Sequence, residues 1–179
     1  MNIKQLLDSE SVSKLRPYQR ILVLGAPGSG KSYLSHRLGE LLHLPILHLD
    51  HYFWDDPKNT SPWTPVPEEA FRKKCIEFVD QSSFIMDGNY GMTFDIRWPA
   101  ADLVIFVDTH PWLCVARQMA RVIKDKLGFA PAKDRALGQR ERFNIKLFWF
   151  TIKFRESHGH LIECRMRELY PETPFIKLN

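Results

Sequence analysis

Gly25-Ala26-Pro27-Gly28-Ser29-Gly30-Lys31-Ser32 reads G-x-x-x-x-G-K-S, the Walker A pattern, and it decides how the rest of the chain is read. The apolar run Ile21-Leu22-Val23-Leu24 stands directly before it, and Tyr33-Leu34-Ser35-His36-Arg37-Leu38 follows with helical spacing. A strand, a glycine-rich loop and a helix in that order are the context in which the motif carries meaning. The glycines let the backbone wrap closely around phosphates. The loop's N–H groups, with a helix N-terminus behind them, favour an anion. On this reading Gly25, Ala26, Pro27, Gly28, Ser29 and Gly30 cradle the phosphates of a nucleoside triphosphate, and Tyr33 stands beside them. Lys31 reaches the β- and γ-phosphates, and the Ser32 hydroxyl ligates Mg²⁺.

The chain has 179 residues, the size of one domain, and is long enough to bury a core. Its 44% hydrophobic and 26% charged residues suit a globular protein. No apolar run has the length of a membrane span. Met1-Asn2-Ile3-Lys4-Gln5 lacks the apolar stretch of a signal peptide, and the three cysteines, Cys75, Cys114 and Cys164, are far apart. A cytoplasmic protein with reduced thiols is expected. Net charge is +4, but residues 117–146 hold nine basic residues against three acidic ones. The positive excess therefore sits in one segment and the remainder is slightly acidic. That pattern fits an element gripping small phosphates better than a broad nucleic-acid face.

Alternating patterns fill the rest. Residues 1–17 predict a lead-in helix carrying Ile3, Leu6 and Leu7. Strands are expected at 20–24, at 46–49 ending on Asp50, at 84–87, at 103–107 and at 175–178. Helices are expected from Lys31 to a stop before Pro45, after Pro67, from Pro111 to about Lys126, roughly at 140–155 and near 161–169. Residues 51–67, rich in aromatics and prolines, form a loop excursion, either a substrate lid or a local mini-core. Strands alternating with helices imply a parallel sheet covered on both faces.

With these elements placed, the chain resembles P-loop kinases of the adenylate kinase type. It is more closely similar to the bacterial family labelled DNA topology modulation proteins. The segments that carry the likeness are 25–32, Leu49-Asp50-His51-Tyr52-Phe53-Trp54, Trp63-Thr64-Pro65-Val66-Pro67, Ile85-Met86-Asp87-Gly88-Asn89-Tyr90, 97–108 with Pro111-Trp112-Leu113-Cys114, and Glu141-Arg142-Phe143. They span roughly residues 20–150. The resemblance implies an α/β three-layer P-loop sandwich in a single domain, 1–179. Its parallel sheet has five strands in the order 2-3-1-4-5. An acceptor-side insertion at 51–82 and a helical lid at about 124–142 are also implied. ATP and Mg²⁺ are the implied cofactors, and a small phosphate acceptor the implied partner.

Against that background, Asp87 at the end of the third strand is the candidate second Mg²⁺ carboxylate; the alternative is a turn-former before Gly88. Asp108 is its rival, or else the cap of the following helix. Asp50 is the candidate general base or orienting group for an acceptor hydroxyl; the alternative is a capping residue. The Leu49-Asp50-x-Tyr52-Phe53 pattern is similar to that of kinases acting on alcohols, including uridine kinase. Arg117 and Arg121, four apart on one helix face, are expected to neutralise the migrating phosphoryl group. Arg140 and Arg142 would close over the site. Arg97 is placed in the acceptor pocket, and Trp54, Trp63, Tyr52 and Tyr90 either stack a base or pack structurally. A nucleotide-dependent DNA-binding regulator is the rival function, although no helix-turn-helix or other base-reading module is visible.

Overall fold

Ile21, Leu22, Val23 and Leu24 are all fully buried and form the middle of the central strand, β1 (Arg20–Gly25). The computed structural model describes residues 1–54, 64–128 and 144–179. In chain order, α1 (Ile3–Leu6) and α2 (Ser9–Leu15) precede β1, which is followed by α3 (Lys31–Leu42), β2 (Ile46–His48) and α4 (Leu49–Phe53). Then come α5 (Glu68–Val79), β3 (Phe84–Asp87), a 3₁₀ turn at Gly91–Thr93, α6 (Phe94–Arg97) and β4 (Leu103–Val107). The chain closes with α7 (Pro111–Lys126), α8 (Ile145–Phe154), α9 (His160–Leu169) and β5 (Phe175–Leu178).

The five strands are parallel and ordered β2-β3-β1-β4-β5, as expected. Successive side chains of a strand point to opposite faces, and β1 uses both. Leu22 and Leu24 join Met86, Phe106, Phe71, Cys75, Phe154 and Met166 in one core. Ile21 and Val23 join Ile85, Ile105, Leu34, Leu38, Leu6 and Leu15 in the other. Each such fully buried aliphatic side chain contributes about 1.5–3 kcal/mol. This double burial is why the strands read as unbroken apolar runs.

The structure departs from three expectations. The lead-in is two short helices, because Asn2 and Asp8 each cap a separate N-terminus with their side chains. The second strand stops at His48, and α4 begins at Leu49, so Asp50 lies in the first turn of a helix. The helix expected from 140 begins at Ile145, capped by Asn144, whose Oδ1 accepts from the N–H groups of Lys146 and Leu147. A wider π turn, Arg155–Gly159, joins α8 to α9 without a break. Trp63, Arg142, Arg140 and residues 129–142 of the expected lid lie outside the described residues.

Candidate functional site

The loop from Gly25 to Ser32 is held open by groups bound to its carbonyl oxygens. Gln118 Nε2 donates to Pro27 O at 3.0 Å and to Thr151 Oγ1 at 2.9 Å, tying the loop to α7 and α8. Thr109 Oγ1 donates to Ser29 O at 2.9 Å, and Arg117 Nη1 donates to the same oxygen at 3.0 Å. Ser29 N–H closes a turn onto Ala26 O at 3.1 Å. Two glycines are obligatory. A Cβ on Gly25 (φ 142°) would lie 2.4 Å from Val107 O, and one on Gly28 (φ 78°) 2.5 Å from Cys114 O. Lys31 opens α3, which has no side-chain cap, so its first-turn N–H groups remain for an anion.

Lys31 Nζ donates to Ala26 O at 2.9 Å. Burial pushes the ammonium below its ordinary value; the charges of Asp50 and Asp87 work against that shift, and Arg121 adds to it. Those influences place both carboxylates and Arg121 within electrostatic range of the lysine. Arg117 and Arg121 share one face of α7, and Arg117 leans on the loop itself. Ser32 and Tyr33 are exposed at the mouth of the loop.

Asp87 ends β3 and is 4% exposed. Its Oδ1 stands 2.9 Å from His48 Nδ1, while Oδ2 is buried with no hydrogen-bond partner among the described residues. Burial opposes charge on His48, but the Asp87 hydrogen bond and the Asp87 and Asp50 charges outweigh it and raise its pKa. Burial and the neighbouring His48 lower that of His51. Ser32 offers a hydroxyl and Asp87 a carboxylate with one open oxygen, each an oxygen donor of the kind Mg²⁺ takes.

Asp50 is joined to two other acceptor-side candidates. Tyr90 Oη donates to Asp50 Oδ1 at 2.5 Å, and Trp54 hydrogen-bonds the same phenol. Burial and the Asp50 charge raise the Tyr90 pKa far above its ordinary value, so the phenol remains a donor. The Tyr90 ring packs 4.6 Å from Phe53 and 5.0 Å from Phe71. Aromatic packing thus positions the hydroxyl that meets Asp50.

Arg97 is a correction. It is fully buried, and its guanidinium donates to Thr93 Oγ1 at 2.8 Å, Gly88 O at 3.0 Å, Asn89 O at 3.0 Å and Tyr90 O at 3.1 Å. Burial lowers its pKa to about 10, which leaves it charged at neutral pH. It shapes the turn after β3 from within instead of reaching an acceptor. Asp108 is likewise committed: its Oδ2 accepts from Arg155 Nη2 at 2.9 Å and lies 3.4 Å from Lys177 Nζ. It does not cap α7, whose N-cap is His110.

Four residues escaped the sequence reading: Asn89, Gln118, Thr109 and His48. Asn89 clamps Gly25 through Oδ1, which accepts from the Gly25 N–H at 3.1 Å, and Nδ2, which donates to Gly25 O at 2.7 Å. Asn89 was visible in the Asp87-Gly88-Asn89-Tyr90 segment, but its partner was not. His48 needed the strand register, which no local pattern supplies.

The sheet order and the loop between β1 and α3 define a P-loop kinase-like α/β fold. The structure is similar to shikimate kinase from Acinetobacter baumannii in complex with shikimate, with 17% identity and a TM-score of 0.51. The alignment covers 94% of this chain and 88% of that one. At that identity the likeness establishes the fold. No protein family matches the chain at the level of sequence, and no curated protein matches it. Among the described residues no helix is long and apolar enough to cross a membrane.

Proposed function

We propose that this protein is an ATP- and Mg²⁺-dependent kinase that moves the γ-phosphate to a hydroxyl of a small acceptor. The observation that carries the reading is Asp50, held by Tyr90 and within electrostatic range of Lys31 at the mouth of the loop. Loop N–H groups and Lys31 bind the triphosphate, and Arg117 and Arg121 neutralise charge on the phosphoryl group in flight. Ser32 and Asp87 hold Mg²⁺, which when bound neutralises charge on the phosphate oxygens. Asp50 orients the acceptor hydroxyl and takes its proton as the oxygen attacks phosphorus. Tyr90 fixes that carboxylate, Trp54 hydrogen-bonds the Tyr90 phenol, and both line the acceptor side. A carboxylate so placed would repel a phosphate acceptor, which favours an alcohol.

The domain plan is part of the same reading: one P-loop kinase domain over 1–179, with 51–82 on the acceptor side and about 124–142 as a lid carrying Arg140. The kinase fold of the shikimate-bound protein supports a small-molecule acceptor. A coupled ADP-release assay across nucleosides, nucleotides and sugar alcohols tests the proposal. At least one alcohol should stimulate turnover above the Lys31→Ala background; stimulation by none of them would overturn it.

A further inference from the structure

His48 and Asp87 are register partners on neighbouring strands at the carboxyl end of the sheet. Partners in register project to the same face, so β2 delivers an imidazole directly beside the carboxylate of β3. Nδ1 donates to Asp87 Oδ1 at 2.9 Å, which occupies one oxygen of the pair. The other oxygen, Oδ2, is buried and has no partner among the described residues. Leaving a charged oxygen so placed unpaired costs more than the roughly 1–3 kcal/mol of a neutral group, so the arrangement calls for a ligand. The imidazole has little room to turn, because the His36 and His51 rings lie 4.8 and 5.4 Å from it.

We infer that His48 is a positioning residue for the metal site: by holding Oδ1 it orients Asp87 and leaves Oδ2 to the water shell of Mg²⁺. The inference rests on the reading of Asp87 as the metal carboxylate. Residues that orient a metal-binding carboxylate typically govern about 10–100-fold in metal affinity. Because the requirement is for one N–H at the Nδ1 position, an Asn side chain can supply it. Gln, whose amide sits one carbon further out, cannot place it there.

The test is a Mg²⁺ titration of fluorescent ATP-analogue binding, with a parallel titration in EDTA, for wild type, His48→Asn, His48→Gln and His48→Ala. Thermal melts check that each variant folds. His48→Asn should keep a Mg²⁺ half-saturation within about threefold of wild type, and His48→Gln and His48→Ala should raise it by about tenfold or more. Metal-free affinity should stay constant. Equal behaviour of Asn and Gln would overturn the inference, and so would a matching loss in EDTA, which would mark a purely structural role. If His48→Ala fails to fold, the Asn–Gln comparison decides alone. If wild type binds no analogue, the nucleotide-site reading itself fails. If wild type binds it with Mg²⁺ dependence that no variant alters, only the role of His48 does.

Discussion

Asn89 holds Gly25 by two hydrogen bonds, so the turn after β3 and the start of the phosphate loop move as one piece. Gly25 is itself buried, so its N–H and C=O depend on these two partners. Asn89→Ala should cost about 1–3 kcal/mol in urea denaturation and weaken nucleotide binding as well. Asn89→Asp, which keeps the acceptor and loses the donor to Gly25 O, should fall short of wild type in both measurements. Unchanged nucleotide affinity in both variants would show that the clamp does not shape the loop.

Arg97 braces the same turn from the inside. Arg97→Met removes donors from the Gly88 and Asn89 carbonyls together, and each orphaned group costs about 1–3 kcal/mol; Tyr90 O keeps the N–H and Oγ1 of Thr93. A loss of about 3 kcal/mol or more in denaturant melts is expected, with a lower melting temperature. An acceptor-binding arginine would instead leave stability intact and raise KM for the acceptor.

Asp50→Asn should lower acceptor-dependent kcat by about 10²–10⁴-fold and leave ATP affinity nearly unchanged. Tyr90→Phe removes one hydrogen bond to that carboxylate, worth about 1.5–3 kcal/mol, so a loss of about tenfold or more is expected from steady-state kinetics. Equal losses in ATP binding would place both residues in the nucleotide pocket instead.

Glu163 gives a pH signature of its own. Lys177 Nζ donates to its Oε2 at 2.9 Å, and this bond, aided by Arg167, holds the carboxyl below its ordinary 4.5. A depressed carboxylate stabilises the fold above its unfolded pKa and loses that contribution as pH falls through the folded one. Lys177 is 40% exposed, so solvent screening limits the pair to about 0.5–1 kcal/mol. Glu163→Gln should therefore be less stable than wild type at pH 7, and the gap should close as pH drops below 4.5. A gap that persists in acid would contradict the ion-pair account.

What the sequence made legible follows the range of each signal. The loop and its flanking elements were readable because glycine spacing and buried apolar runs are local, whereas the strand order came only through the resemblance to P-loop kinases. Asp50, Trp54 and Tyr90 were each picked out singly, but the hydrogen bonds joining them cross 40 residues of chain between Asp50 and Tyr90. Arg97, eight residues past Asn89, looks the same in sequence whether it faces outward to an acceptor or folds inward to carbonyls. His48 was passed over because only the β2–β3 register brings it to Asp87. Asp108 has the sequence context of a cap or a metal ligand, because its partners Arg155 and Lys177 lie on elements distant in the chain.

The central claim, phosphoryl transfer from ATP to a hydroxyl, is read most directly by ³¹P NMR of ATP and Mg²⁺ incubated with the protein and a set of candidate alcohols and nucleotides. A new phosphomonoester resonance should appear together with ADP, depend on an alcohol and be absent with Lys31→Ala. Growth of inorganic phosphate alone, or of a diphosphate made from a nucleotide acceptor, would contradict it.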